Sequence, residues 1–114
     1  MNGRGCRRKG HDFEREIAAD LRSSFPEARR GLQYQDGAHV ADVVNVPGWH
    51  IECKRHRRVN IKAALDQAIA DVQARESADI PVAITKDDGG DVLVTMTYFD
   101  WRKIIEGKSN ENQS

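Results

Sequence analysis

The chain has few cysteines, no long apolar run and no excess of either charge. Its 114 residues include only two cysteines, in unrelated contexts and without a CxxC spacing. Such a pair gives no disulfide framework and is typical of a reducing interior. No apolar run approaches the roughly 18 residues of a membrane span, and no secretory apolar segment follows the basic first residues. We therefore expect a soluble cytoplasmic protein without a membrane partner.

The zero net charge, with 18 basic and 18 acidic residues, argues against a general binder of polyanions. The basic residues are nevertheless clustered at two places in the chain. The clusters comprise Arg4, Arg7, Arg8 and Lys9 at the start, and Lys54, Arg55, Arg57, Arg58 and Lys62 further on. A nucleic acid requires local positive potential more than a high net charge. The alternative interpretation is that the two basic clusters are charged loops exposed to solvent.

Length and patterning predict one α/β domain with a modest core. We expect a basic flexible tail over residues 1–10, a single domain over 11–106 and a polar tail over 107–114. The apolar periodicities predict the order helix, three strands, helix, two strands, short helix. The predicted helices cover 12–24, 61–75 and 99–106, and the strands 29–35, 38–46, 49–53, 82–86 and 92–97. A mixed sheet with flanking helices follows from this order.

Glu14 is an unusual residue of the first predicted helix. It lies near the middle of an apolar stripe, which is formed by Phe13, Ile17, Ala18, Leu21 and Phe25. Carboxylates are rarely buried without a partner. Glu14 therefore either lies at the edge of the stripe and reaches water, or points inward at a functional centre.

The stretch DVVNVPGWHIECK, residues 42–54, reads as a β-hairpin around Pro47-Gly48. Alternation along its second strand places two sets of side chains on opposite faces. One face has Trp49, Ile51 and Cys53, and the other has His50, Glu52 and Lys54. A carboxylate and an amine thus share one face of an otherwise apolar strand.

Asp42 lies on the same face of the hairpin as Glu52 only for certain loop lengths. A loop of three or five residues sets the two opposite each other, whereas a two-residue loop sets Asp42 opposite Cys53. Two converging carboxylates are costly unless a divalent cation neutralises them, and oxygen ligands suit Mg²⁺ or Mn²⁺.

Asp42 followed by Glu52-Cys53-Lys54 resembles the signature of the PD-(D/E)xK nucleases, with Ala41 in place of the proline. The segment RRKGHDFEREIAADL resembles the first helix of archaeal-type Holliday junction resolvases and their phage-encoded relatives. Its Gly10, Glu14 and Arg15 match a G-x-x-x-E-R pattern of that family. Leu65-Asp66-Gln67-Ala68 resembles the family's second helix, so that the resemblance covers roughly residues 7 to 106.

This resemblance implies a restriction-endonuclease-like core and a metal-dependent DNA endonuclease, with junction-resolving, structure-selective cutting as the leading expectation. By analogy, Asp42, Glu52, Glu14 and the Cys53 carbonyl hold Mg²⁺ or Mn²⁺. Lys54 orients the nucleophilic water or offsets charge on the phosphorane, and Gln67 is an auxiliary residue. Arg30, Arg55, Arg57, Arg58 and Lys62 are expected to contact DNA phosphates.

Symmetric cutting of a branched DNA further implies a two-fold homodimer. The alternatives are a non-specific or nicking phage-type endonuclease and a non-catalytic module that binds branched DNA. A plain α/β domain with an accidental motif is a third. A zinc site among His39, His50, His56 and Cys53 is disfavoured, because no pair has finger-like spacing and Cys53 faces away from His50. Single histidines are expected to face DNA or solvent.

Overall fold

A computed structural model describes residues 3–32, 34–35 and 38–113, with side chains described over 8–32 and 40–107. The described part of the chain forms three helices and seven strands. These are α1 (Gly3–Leu21), β1 (Arg29–Arg30), β2 (Tyr34–Gln35), β3 (Ala38–His39), β4 (Val43–Val44), β5 (Trp49–His56), α2 (Ile61–Ala74), β6 (Ile80–Asp87), β7 (Leu93–Thr95) and α3 (Tyr98–Gln113).

A mixed five-stranded sheet, in the order β1-β4-β5-β6-β7, forms the centre of the domain. The two central strands, β5 and β6, are parallel, and every other neighbouring pair is antiparallel. Helix α2 makes the crossover that parallel neighbours require. β2 and β3 form a separate two-stranded sheet. The predicted α/β class with a mixed sheet is confirmed.

Helices α1 and α2 pack on opposite faces of this sheet. The α1 side holds the main apolar cluster, in which Phe13 and Ile17 contact the face of β5 that carries Ile51 and Cys53. This confirms the predicted apolar stripe of the first helix. The α2 side is approached by small side chains, since Ala64, Ala68 and Val72 are the buried residues of that helix. Asn60 caps α2 by accepting the Ala63 N–H at 3.0 Å, as its sequence position predicts.

The first and last helices of the chain, α1 and α3, are longer than predicted. α1 begins at Gly3 and not near residue 12, and α3 continues to Gln113 and not to 106. Most of residues 3–10, predicted as a tail, are arginine, lysine and glycine, and the first two are good helix formers. Lys9 also binds the Asp88 carboxylate at 2.9 Å, which ties this part of α1 to the β6–β7 turn. Within the described residues, no helix has the length and apolarity needed to cross a membrane.

Each of the first two predicted strands is broken into two short strands. The predicted strand over 29–35 becomes β1 and β2, and that over 38–46 becomes β3 and β4. The predicted turn at 36–37 lies outside the described residues. The chain leaves the five-stranded sheet at Gly31, whose N–H donates to the Asp42 carbonyl at 2.8 Å. A Cβ at Gly31 would overlap the Ala41 carbonyl oxygen and lie 3.1 Å from Val44 Cγ1.

The close approach at Gly31 leads to a stability prediction. Gly31→Ala should lower the free energy of unfolding by about 1–3 kcal/mol, because the added methyl group forces backbone apart in a packed region. Gly107→Ala is the matched control, since a Cβ there meets nothing within 4 Å. In α3 that change should be neutral or stabilising by up to about 1 kcal/mol. Urea unfolding of both variants measures the difference, and equal stabilities would contradict the packing argument.

Candidate active site

The β4–β5 hairpin sets Asp42 directly opposite Glu52. Val43 pairs with Ile51, and the Asp42 N–H donates to the Ile51 carbonyl at 2.9 Å. This register corresponds to the three-residue or five-residue loop, and the two-residue alternative is wrong. Gly48, at φ 90°, supplies the left-handed backbone conformation that the turn requires.

Asp42 is held at both its backbone and its side chain. Its carbonyl accepts the Gly31 N–H, and its Oδ2 accepts the backbone N–H of Cys53 at 2.8 Å. The side chain therefore lies against the middle of β5, while the residue stays half-buried. The role of the Cys53 carbonyl as a metal ligand stays a prediction.

Glu52 is buried beneath α2 together with two other potential ligands. Only 1% of the residue is exposed. Its Oε1 lies 3.2 Å from His50 Nε2, and the same nitrogen lies 3.6 Å from Asp71 Oδ2 on α2. The ligand atoms of these three residues all lie within 4.8 Å of one another. Such a group could hold a metal ion.

The surroundings of Glu52 strongly favour its protonated form. Burial raises its pKa to about 10, and the neighbouring charge of Asp42 and contacts with Asp71 act in the same direction. Burial and the nearby carboxylates also raise the pKa of the Cys53 thiol, so that a thiolate nucleophile is disfavoured there. Without a cation, the Glu52 carboxyl holds a proton at neutral pH.

Glu14 approaches Asp42 from α1. Its side chain is 14% exposed, and its Oε2 accepts a hydrogen bond from Arg30 Nε at 2.7 Å. Burial raises the pKa of Glu14 most, and the charge of Asp42 raises it further. The hydrogen bond and the charge of Arg30 lower it. Glu14 thus points inward and lies in the electrostatic field of Asp42. Arg30, predicted to contact a DNA phosphate, lies against Glu14 in this structure.

Lys54 follows Glu52 on the same face of β5. One strand period of two residues separates their Cα atoms by about 7 Å. Lys54 is half-buried, so its amine can reach the surface near the carboxylates. Gln67, the predicted auxiliary residue, is exposed and lies one helical turn before Asp71 on α2.

The predicted phosphate-binding residues differ in what they contact. Arg57 and Arg58 are exposed in the loop that follows β5. Arg55 is half-buried and lies 3.7 Å from the Asp88 carboxylate. Lys62 is exposed and pairs with Asp66 at 3.1 Å within α2. Arg57 and Arg58 are therefore the residues of this group best placed to meet a polyanion.

The sequence interpretation missed the partnership of His50 and Asp71. The expectation that single histidines face DNA or solvent is wrong for His50, of which 5% is exposed. Strand alternation had already set His50 on the face of Glu52. Asp71 follows Ala68 by three residues, which places an acid beside the buried stripe of α2. That is the same signal that singled out Glu14 on the first helix.

Comparison of the chain with protein-family models, with curated proteins and with solved structures gave no significant match. The function is therefore argued from the residues and geometry of this site.

The raised pKa of Glu52 predicts how stability depends on pH. The folded protein keeps this proton up to about pH 10, whereas the unfolded chain releases it near 4.5. The folded state binds more protons in that interval, so the free energy of unfolding should fall as pH rises through it. In EDTA, Glu52→Gln should flatten this dependence and be more stable than the wild type at alkaline pH.

Urea unfolding at about pH 5 and about pH 9 measures this effect. Glu16→Gln, which removes an exposed carboxylate from α1, should keep the wild-type dependence. The same slope in Glu52→Gln and wild type would show that Glu52 does not carry the effect.

Proposed function

We propose that this protein is a metal-dependent DNA endonuclease that hydrolyses phosphodiester bonds. The observation that carries the proposal is the approach of two glutamates, from separate elements, to Asp42. Glu14 comes from α1, Asp42 from the start of β4 and Glu52 from β5, and the charge of Asp42 raises the pKa of both glutamates. Lys54 lies on the Glu52 face of β5.

The element order supports a restriction-endonuclease-like core. Helix α1 precedes an antiparallel β1-β4-β5 unit, and α2 then leads to the parallel strand β6. This arrangement agrees with the resemblance to the PD-(D/E)xK nucleases. Of the acidic pair, Asp42 directly precedes β4 and Glu52 is on β5, and each of these strands has a neighbour on both sides.

The donor set fits a hard divalent cation. Carboxylate oxygens of Asp42 and Glu52, with Glu14 bound directly or through water, are ligands suited to Mg²⁺ or Mn²⁺. When bound, the ion supplies Lewis acidity to the scissile phosphate, to a water nucleophile and to the leaving 3′-oxygen. Asp42 and Glu52 would hold that ion through their carboxylate oxygens. Lys54 orients the water or offsets negative charge on the phosphorane.

DNA is the proposed substrate because basic side chains follow the acidic centre along the chain. The loop that carries Arg57 and Arg58 follows the end of β5 and begins three residues after Lys54. Their exposed guanidinium groups fit phosphate oxygens and fix the position of a strand without reading its bases.

Structure-selective cutting of branched DNA by a two-fold dimer is the preferred form of the proposal. The chain forms a single small domain, without a further subdomain for sequence recognition within the described residues. Apolar side chains are exposed at the β7 edge and on α3, with Val94 61%, Tyr98 72% and Phe99 67% exposed. An uncharged edge strand is suited to pairing with a second copy.

The proposed chemistry predicts a loss of cleavage in variants that keep the fold. Asp42→Asn, Glu52→Gln and Lys54→Ala should each lower the cleavage rate by at least about 100-fold. Asp91→Asn and Lys103→Ala, at an exposed loop and on α3, are matched controls and should cleave at the wild-type rate. Far-UV circular dichroism verifies that each variant is folded.

Cleavage is followed on a four-way junction, a fork, a single strand and a linear duplex, with Mg²⁺ and with EDTA. Faster cutting of the junction and complete inhibition by EDTA are the expected results. Cutting of all four substrates at one rate would indicate a non-specific endonuclease. Binding of the junction without any nick would indicate a non-catalytic module.

Phosphate contact predicts a dependence on salt. Arg57→Ala and Arg58→Ala should each weaken DNA binding uniformly across sequences and reduce the slope of log K against log salt by about 1. Arg102→Ala is the control, because Arg102 pairs with Glu106 on α3 at 2.8 Å. Fluorescence anisotropy in EDTA at several salt concentrations measures the slopes. An unchanged slope would remove these arginines from the DNA contact.

A further inference from the structure

We infer that His50, Glu52 and Asp71 form a second cation site, distinct from that of Asp42 and Glu14, which takes a divalent transition-metal ion through one imidazole nitrogen and two carboxylates. The site shares Glu52 with the proposed nuclease centre, but its existence does not require that the protein cut DNA.

The separations among the ligand atoms fit a common coordination sphere. Atoms that lie about 2.0–2.2 Å from one ion are about 3.0–3.5 Å from each other when they occupy neighbouring positions around it. His50 Nε2 lies 3.2 Å from Glu52 Oε1 and 3.6 Å from Asp71 Oδ2. Only small side-chain rotations are therefore needed to bring all three onto one ion.

The imidazole presents one nitrogen to both carboxylates, a geometry that a single ion can share. A single ring nitrogen of His50 faces an oxygen of each carboxylate. An N–H at that nitrogen can point well at only one oxygen, because hydrogen bonds weaken steeply away from linearity. An ion placed among the three atoms can accept a lone pair from each of them.

The mixed donor set selects the kind of ion. Mg²⁺ and Ca²⁺ prefer sites made entirely of oxygen, whereas imidazole nitrogen suits Zn²⁺, Ni²⁺ and other later first-row ions. Mn²⁺ binds oxygen sites and also accepts an imidazole ligand, so it can report on both sites. The Asp71 side chain is 18% exposed, so water can complete the coordination. We therefore expect this site to prefer a transition-metal ion to Mg²⁺, in contrast to the oxygen ligands of the nuclease centre.

A cleft in the surface reaches one of the three ligands. A cleft of about 490 Å³ lies between the β4–β5 hairpin and the C-terminal end of α2. His50 lines this cleft together with Arg75 and Asp79. An ion can thus approach His50 from solvent through this cleft, which Ala41 and Val43 also line.

Pulsed EPR on the full chain with Mn²⁺ tests the inference directly. After removal of metal with EDTA and dialysis, the wild type should show coupling of Mn²⁺ to a ¹⁴N nucleus, and labelling histidine with ¹⁵N should replace that coupling. His50→Gln should abolish it. His56→Gln, which changes an exposed histidine of the same strand, is the matched control and should retain it.

Asp71→Asn provides a second test in case His50→Gln does not fold. It keeps the shape and the histidine, and should weaken Mn²⁺ binding at the nitrogen-coupled site by at least about tenfold, the least loss that even an outer-shell change usually causes. Absence of nitrogen coupling in the wild type, its persistence in His50→Gln, or full affinity in Asp71→Asn would overturn the inference. Oxygen-only binding that is lost in Asp42→Asn would leave the proposed nuclease site standing while removing this one.

Discussion

The burial of one carboxylate, that of Glu52, is the constraint on which the rest of the site depends. The residue lies on β5, with β4 on one side, β6 on the other and α2 above it. Moving a carboxylate out of water is costly unless a proton, a cation or hydrogen bonds compensate. Here Asp42 and Asp71 add to that cost. The apolar cluster on the α1 side of the sheet offsets this cost. The result is a rigid framework around a carboxyl group that a proton or a cation must neutralise.

The two helices that flank the sheet contribute to this centre in similar ways. Glu14 on α1 and Asp71 on α2 are both acids beside an apolar helical stripe, and they belong to helices on opposite faces. Each has a nitrogen group as a partner, the guanidinium of Arg30 for Glu14 and the imidazole of His50 for Asp71. Glu52 and Asp42 lie between them, so that charge is compensated from both faces of the sheet.

Local sequence patterns predicted much of this arrangement. Alternation along β5 and the helical phase of Glu14 depend only on near neighbours. The first gave the face of Glu52, and the second singled out Glu14 but left open whether it reaches water or points inward. The face on which Asp42 lies was harder to predict, because it depends on the length of the hairpin loop, which the sequence left open. The pairing of Val43 with Ile51 answers that question in the structure.

The contact of His50 with Asp71 was not predictable in the same way. The two residues are brought together by the crossover of α2 over β5, and that distance depends on how closely the helix packs. The break of the early strands into β1 to β4 has a similar origin, since Gly31 and Asp42 meet only after the sheet has formed. The helical state of residues 3–10 reflects intrinsic propensity together with the distant contact of Lys9 to Asp88.

The small residues on α2 have a further consequence for the chemistry beneath them. Ala68 is completely buried and lies one turn before Asp71, so its methyl group sets how near that helix comes to the sheet. The thickness of this layer determines the gap between Asp71 and the Glu52 side chain. A bulkier residue at this position lifts the helix and widens the gap. Ala68 thus sets the spacing between the helix that carries Asp71 and the strand that carries Glu52.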